Sequence, residues 1–260
     1  MIKTPALPKQ FALDLSHSHQ PTLENFLPGG DIALLSTLQK LVEEWKTSSI
    51  QKKQANKEYP LNHRWIYWWG SAGSGRSHLL RALNIAAENH GLKHFFLQAN
   101  EPVSWIHLEE TISRIAESDQ TAVITVDDVD YLDEKLLGSL FRILNIVQAS
   151  QTLYIFMSGN QAPSNLQIRE DVRTRLGWGL VFQTQLLSDN EKIQALEGAA
   201  KARGLVLSSD VLPWLLNRFY RDMPNLMALL DALDAYSLET KRPVTLPLVR
   251  DLLQIGNQTT

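Results

Sequence analysis

The apolar and polar positions of this chain change period repeatedly. Trp65-Ile66-Tyr67-Trp68-Trp69 is an unbroken apolar run of strand length, and His94 to Ala99, Ala122 to Val126, Leu153 to Met157 and Leu180 to Gln183 are further strand-like runs. Between them the spacing becomes helical over Ser77 to Asn89, closed by Gly91 as a C′ residue, over Val103 to Glu117, and over Leu136 to Gln148. Upstream, Asp31 is placed to cap a helix running to about Trp45, followed by a polar connection from Lys46 to Asn62. Strands that alternate with helices in this way predict an α/β fold, a parallel sheet covered by helices on both faces.

After Gln183 the strand period disappears. Ser188-Asp189-Asn190-Glu191 has the capping-box spacing and opens a helix that continues through Lys201 and ends near Gly204. Ser208 or Ser209 caps another helix through Tyr220, and Met223 to Leu238 and Leu246 to Ile255 complete an all-helical segment punctuated by Pro243 and Pro247. These changes divide the chain into a tail at 1–21, an α/β domain at 22–185 and a small helical lid domain at 186–260.

Composition narrows the functional classes. The chain has 260 residues, 44% of them hydrophobic, which is enough for a large domain with a smaller companion. No apolar run approaches the ~20 residues of a membrane span, and the N-terminus has no basic segment leading into an apolar core, so a cytoplasmic location is expected. With no cysteine there is no disulfide, thiolate metal site or cysteine nucleophile. A net charge of −3 lacks the global basic signature of a nucleic-acid-binding protein.

Candidate chemistry gathers where strands end. Gly70-Ser71-Ala72-Gly73-Ser74-Gly75-Arg76-Ser77 follows the first strand and opens a helix, the context of a phosphate-binding loop. Gly70, Gly73 and Gly75 free backbone N–H groups to cradle phosphates, Ser77 faces a magnesium ion, and Arg76 replaces the usual lysine. Asp127 and Asp128 end the third strand, where Asp127 is placed to hold magnesium through water and Asp128 to orient an attacking water. Asn160, after the fourth strand, suits either a phosphate sensor or a turn residue. Arg175, before Leu176-Gly177-Trp178-Gly179, suits either a surface ion pair or a finger that completes a neighbouring subunit's nucleotide site. In the tail, Gln10 with Phe11, Leu13 and Leu15 forms a short anchor peptide that can dock in a groove or pack back as a strand, whereas His17 and His19 lack the further ligands a metal needs.

Taken in order, the phosphate loop, the Asp-Asp strand end, Ser158-Gly159-Asn160, the arginine before Leu-Gly-Trp-Gly and the helical lid resemble the AAA+ family. Within it they resemble the DnaA-related regulatory inactivators, in which Gly-Arg-Ser occurs in the loop and a clamp-binding peptide near the N-terminus. The chain reaches Thr260 where the DnaA initiator would continue into a helix-turn-helix DNA-binding domain, which supports an inactivator. The resemblance implies that Gln10, Phe11, Leu13 and Leu15 engage the DNA polymerase III sliding clamp (its beta subunit), with DNA met mainly through the clamp. It implies that Arg175 acts in trans on ATP-bound DnaA, stimulating hydrolysis and so restraining chromosome replication initiation. Gly70, Gly73, Gly75, Arg76, Ser77, Asp127, Asp128 and Asn160 would then hold ADP or ATP with Mg2+ through Ser77 and Asp127.

Two departures from the family pattern, Arg76 and Pro224 in place of the lid arginine, lead us to expect weak ADP binding and negligible turnover by the chain alone. Arg218 and Arg221 are the candidates to replace that arginine. Self-association and pairing with the initiator are both open to such a surface. The competing expectation is a DnaA-like DNA-binding loading or adaptor factor acting at an origin or in recombination, which would bind DNA by itself with strong salt dependence.

Overall fold

The computed structural model describes residues 20–29, 32–50, 61–118, 120–218 and 223–257. In chain order its first part contains α1 (Ile32–Ile50), α2 (Leu61–Arg64), β1 (Trp65–Trp69), α3 (Arg76–Asn89), β2 (Lys93–Leu97), α4 (Leu108–Glu117) and β3 (Ala122–Val126). It continues with α5 (Glu134–Ala149), β4 (Leu153–Gly159), α6 (Glu170–Leu176) and β5 (Leu180–Gln183). The strands form one sheet in the order β2-β3-β4-β1-β5, every pair parallel. The expected parallel α/β sheet is therefore present.

Strand periodicity divides the core between the two faces of the sheet. Trp65 and Tyr67 of β1, Ile124 of β3 and Ile155 of β4 lie in one apolar cluster with Ile112 of α4 and Leu140 and Ile143 of α5. Ile66 and Trp68, one residue out of phase, lie in the opposite cluster with Phe156, Leu38 of α1 and Leu79 and Leu83 of α3. A strand buried on both sides must be apolar at every position, which explains the unbroken Trp-Ile-Tyr-Trp-Trp run.

The sequence predicts one helix over Val103 to Glu117, and here the structure differs. Pro102–Trp105 is a separate 3-10 turn, and His107 takes φ 57° before α4 begins. Trp105 explains the break: its ring is buried and its Nε1 donates to the Gln98 carbonyl oxygen, anchoring the turn to the end of β2. The short helix α6 had no counterpart among the expected elements.

Residues 188–257 form a separate unit, α7 (Asp189–Ala202), α8 (Val211–Arg218), α9 (Met223–Thr240) and α10 (Leu246–Asn257). Leu196, Leu212, Leu230, Leu233 and Val249 share its core, so each helix supplies one apolar stripe. The capping box at α7 has both halves: Ser188 Oγ accepts from the Glu191 N–H, and the Glu191 carboxylate accepts from the Ser188 N–H. Inside this unit Arg203 pairs with Asp231 at 2.6 Å. No helix among the described residues is long and apolar enough to cross a membrane.

Candidate functional site

The phosphate-loop segment joins β1 to α3. Its entry is fixed by Thr184, just after β5: the Thr184 N–H donates to the Trp69 carbonyl at 2.7 Å, and the Thr184 and Ser74 hydroxyls lie 2.8 Å apart. Its exit turns at Gly75, where φ is +87° and a side chain would run into the ring of Phe26. Phe26 in turn leans on His78, whose Nε2 is 3.0 Å from the Thr22 carbonyl oxygen. Burial lowers the His78 pKa from its ordinary value, the hydrogen bond to Thr22 opposing. The loop is thus held from β5 and from the stretch that precedes α1.

Arg76 is the first residue of α3 and only 8% exposed. Its Nη2 lies 3.0 Å from Asp128 Oδ1, a close ion pair without hydrogen-bond alignment, and its Nη1 is buried without a hydrogen-bond partner. Asp128 itself has φ 50° and turns the chain out of β3. Burial raises its carboxyl pKa above the ordinary value, with Arg76 pulling the other way.

Asp127, 2% exposed, has both oxygens occupied: Ser158 Oγ donates to Oδ1 at 2.7 Å and Gln98 Nε2 to Oδ2 at 3.2 Å. Ser158 Oγ also accepts from the Asp128 N–H at 3.1 Å, so one hydroxyl on β4 fastens both aspartates. Asp130 continues the linkage by accepting from the Asn160 N–H at 2.9 Å. Tyr67 hydroxyl donates to the Gln161 carbonyl at 2.7 Å, and burial, more than the nearby Asp130, raises its pKa well above the ordinary phenol value.

Several residues singled out from sequence meet at the carboxyl ends of β1, β3 and β4: Arg76 with Asp128, Asp127 with Ser158, and Asn160 through its backbone with Asp130. Ser77 follows Arg76 on α3, and the Asn160 side chain is exposed. Sequence reasoning missed Gln98, Asp130 and the double role of Ser158. Gln98 follows a predicted strand and Asp130 follows an acidic pair, but only pairing of β2 with β3 and β3 with β4 brings them into contact. Among the described residues no group of three or more His, Asp or Glu side chains forms a ready metal site.

The site's chemistry suits an anion. A buried guanidinium nitrogen without an acceptor, at the first turn of a helix and beside a loop turned by glycines, offers charge and N–H donors together. Phosphates fit that donor set. Asp127, with both oxygens already accepting, would meet a cation only beside or through those partners.

Arg175 lies at a second place, in the last turn of α6. Its guanidinium carbon is 4.1 Å from the Phe141 ring centre and 4.8 Å from that of Trp178. Its Nε donates to Asn145 Oδ1 at 3.2 Å and its Nη1 to the Asp171 carbonyl at 2.9 Å. Trp178 rests on Trp65 with ring centres 5.8 Å apart, and at Gly179 any Cβ would overlap the Trp65 carbonyl oxygen.

In the helical unit, Arg218 is exposed beside the Trp214 ring, Pro224 falls in the first turn of α9, and Arg221 lies outside the described residues. The anchor peptide with Gln10, Phe11, Leu13 and Leu15 also lies outside them.

A family model for the bacterial DnaA ATPase domain matches residues 35–183, and one for the lid domain of Hda matches residues 189–253. Domain III of the replication initiation protein DnaA from Thermotoga maritima superposes with a TM-score of 0.63 at 19% identity, over 91% of this chain and 97% of that one. AMPPCP-bound DnaA from Aquifex aeolicus matches with a TM-score of 0.63 at 20% identity, over 85% of this chain and 67% of that one. RuvB from Thermotoga maritima gives 0.61 at 12% identity, over 91% and 73% of the two chains. At such identities the solved structures establish the shared AAA+ fold, while the ATPase model, spanning more than half of the sequence, establishes kinship. The chain belongs to the DnaA family of AAA+ proteins and carries a lid of the Hda type.

Proposed function

We propose that this chain is a regulator of DnaA that promotes hydrolysis of the initiator's ATP through Arg175. The observation that carries the reading is the pairing of a DnaA ATPase match with an Hda lid match in one chain. In this reading the finger inserts into the nucleotide site of a DnaA partner and spreads charge developing on the transferred phosphoryl group. A guanidinium suits this role because it stays charged and can donate two parallel hydrogen bonds. The anchor peptide Gln10 to Leu15 tethers the chain to the sliding clamp, so DNA is reached through that partner.

The chain's own loop holds an adenine nucleotide through Gly70, Gly73, Gly75 and Arg76, with Ser77, Asp127, Asp128 and Asn160 at its phosphate end. The orphaned Nη1 of Arg76 supports this assignment. When bound, the nucleotide supplies the phosphate charge that this nitrogen lacks. Arg76 is already drawn toward Asp128, and Pro224 replaces the lid arginine, which together favour weak ADP binding over turnover.

The test is hydrolysis of ATP bound to DnaA, reconstituted with clamp and DNA. The unmodified chain is expected to accelerate it, and Arg175→Ala to reduce that stimulation by about a thousandfold. Equal stimulation by the two proteins would remove the finger assignment. If the chain instead binds DNA without clamp, with steep salt dependence, the loading-factor reading would replace this one.

A further inference from the structure

Three arginines surround the Phe141 ring or its helix, and their charges are treated differently. Arg142 makes two bonds to the Glu109 carboxylate, at 2.6 and 2.8 Å. Arg169, 5.8 Å from the Phe141 ring centre, makes two to Asp171, at 3.1 and 2.6 Å. Both carboxyls are held below their ordinary pKa, in each case chiefly by the arginine's hydrogen bond. Arg175 has no hydrogen bond to a carboxylate; Asp171, already bonded to Arg169, acts on it only through space. Its hydrogen-bond acceptors are an amide oxygen and a backbone carbonyl, its packing surfaces are two aromatic rings, and no described residue accepts from Nη2.

An arginine used only to tie α5 to α6 would be served as well by a carboxylate at position 145, four residues from Phe141 on the same helix. The amide instead fixes the direction of Nε without cancelling the charge. The two rings restrain the guanidinium by packing close to it, as cations over aromatic rings do, and leave Nη2 without an acceptor among the described residues.

We propose that Phe141, Asn145 and Trp178 form a neutral clamp that aims Arg175 while keeping its guanidinium free of a carboxylate hydrogen bond, available to an anion on another molecule. These are positioning residues, and the inference rests on Arg175 being the finger proposed above. It assigns to the clamp what Arg175 alone cannot specify: the orientation of the charge and its availability.

The discriminating variant is Asn145→Asp, which keeps the shape of the side chain and adds the missing carboxylate. In the DnaA, clamp and DNA assay, maximal stimulation should fall about tenfold or more, because the new ion pair competes with the phosphoryl oxygens. The concentration giving half-maximal stimulation should stay unchanged, and the melting temperature should hold or rise. Asn145→Ala should lose less, since the charge survives and only its aim relaxes.

A second readout needs no partner. In 15N spectra, the Arg175 Nε–H signal, assigned by its loss in Arg175→Ala, should exchange slowly with water and should exchange faster in Asn145→Ala. Full stimulation by Asn145→Asp, or an Nε–H in the unmodified chain that exchanges as fast as exposed arginines, would overturn the clamp. If Arg175→Ala itself stimulates normally, the finger reading fails, and the exchange measurement still decides whether the clamp exists.

Discussion

Arg76 and Arg175 stand in two corners of the same α/β unit that handle positive charge in opposite ways. Arg76 is nearly fully buried and lies 3.0 Å from Asp128, within an acidic linkage that extends through Ser158 to Asp127 and through Asp130 to Asn160. Arg175 is half-buried, lies against two aromatic rings and hydrogen-bonds only to neutral acceptors, with the Asp171 carboxylate acting through space. The first arrangement sets a carboxylate against one nitrogen of the cation, where it competes with a phosphate, and leaves the other nitrogen open to one. The second holds a cation in shape without neutralising it. The residue with the signature of a nucleotide site is therefore the one whose charge already faces a carboxylate, although its Nη1 keeps no hydrogen-bond partner.

The comparison can be broken most severely at Gly179. An alanine there would overlap the carbonyl of Trp65 in the sheet, displacing Trp178 and with it one wall around Arg175. Gly179→Ala is expected to cost more than about 4 kcal/mol, or to prevent folding, read by urea unfolding. A loss below about 1 kcal/mol would show that this backbone can shift and that the wall is soft.

A smaller effect is expected from Ser158→Ala, which removes a donor from buried Asp127 and an acceptor from the Asp128 N–H. The cost should be about 1–3 kcal/mol by denaturant titration, while the melting behaviour of Arg175→Ala stays additive with it, since no bond joins the two corners. Strong non-additivity would mean that the corners act as one.

The smallest effect is one of pH. His78 belongs to the phosphate-loop corner, and its folded pKa is lowered, so between the ordinary value of 6.5 and that lower value the unfolded chain binds more protons. Stability should therefore fall as pH drops below about 6.5, with a slope of at most about 1.4 kcal/mol per pH unit, and His78→Gln should flatten that slope. An unchanged slope would place the acid sensitivity elsewhere.

Much of the fold was legible because local chemistry and tertiary demand agree. The Trp65 to Trp69 run, the Ala122 to Val126 strand, the glycine after α3 and the Ser188 to Glu191 capping box each need only a few neighbouring residues. The break before α4 was not legible, since Val103 to Glu117 keeps a helical period and the turn depends on Trp105 reaching Gln98 in space. Of the candidate site, the loop and the Asp-Asp pair could be read directly. Gln98 and Ser158 could not, because a glutamine after one strand and a serine within another acquire meaning only when strands β2, β3 and β4 align in register.

By itself the sequence determined the sheet's apolar runs, the phosphate-loop framework, the acidic strand end and the change to helices after Gln183, because each is a property of spacing along one chain. Only the tertiary structure decided where the charges go. It set Arg76 against Asp128, about fifty residues away, and it placed Arg175 between Phe141, Asn145 and Trp178 without a carboxylate hydrogen bond. The physical reason is that electrostatic interaction depends on distance and burial, which packing alone fixes, and not on order along the chain.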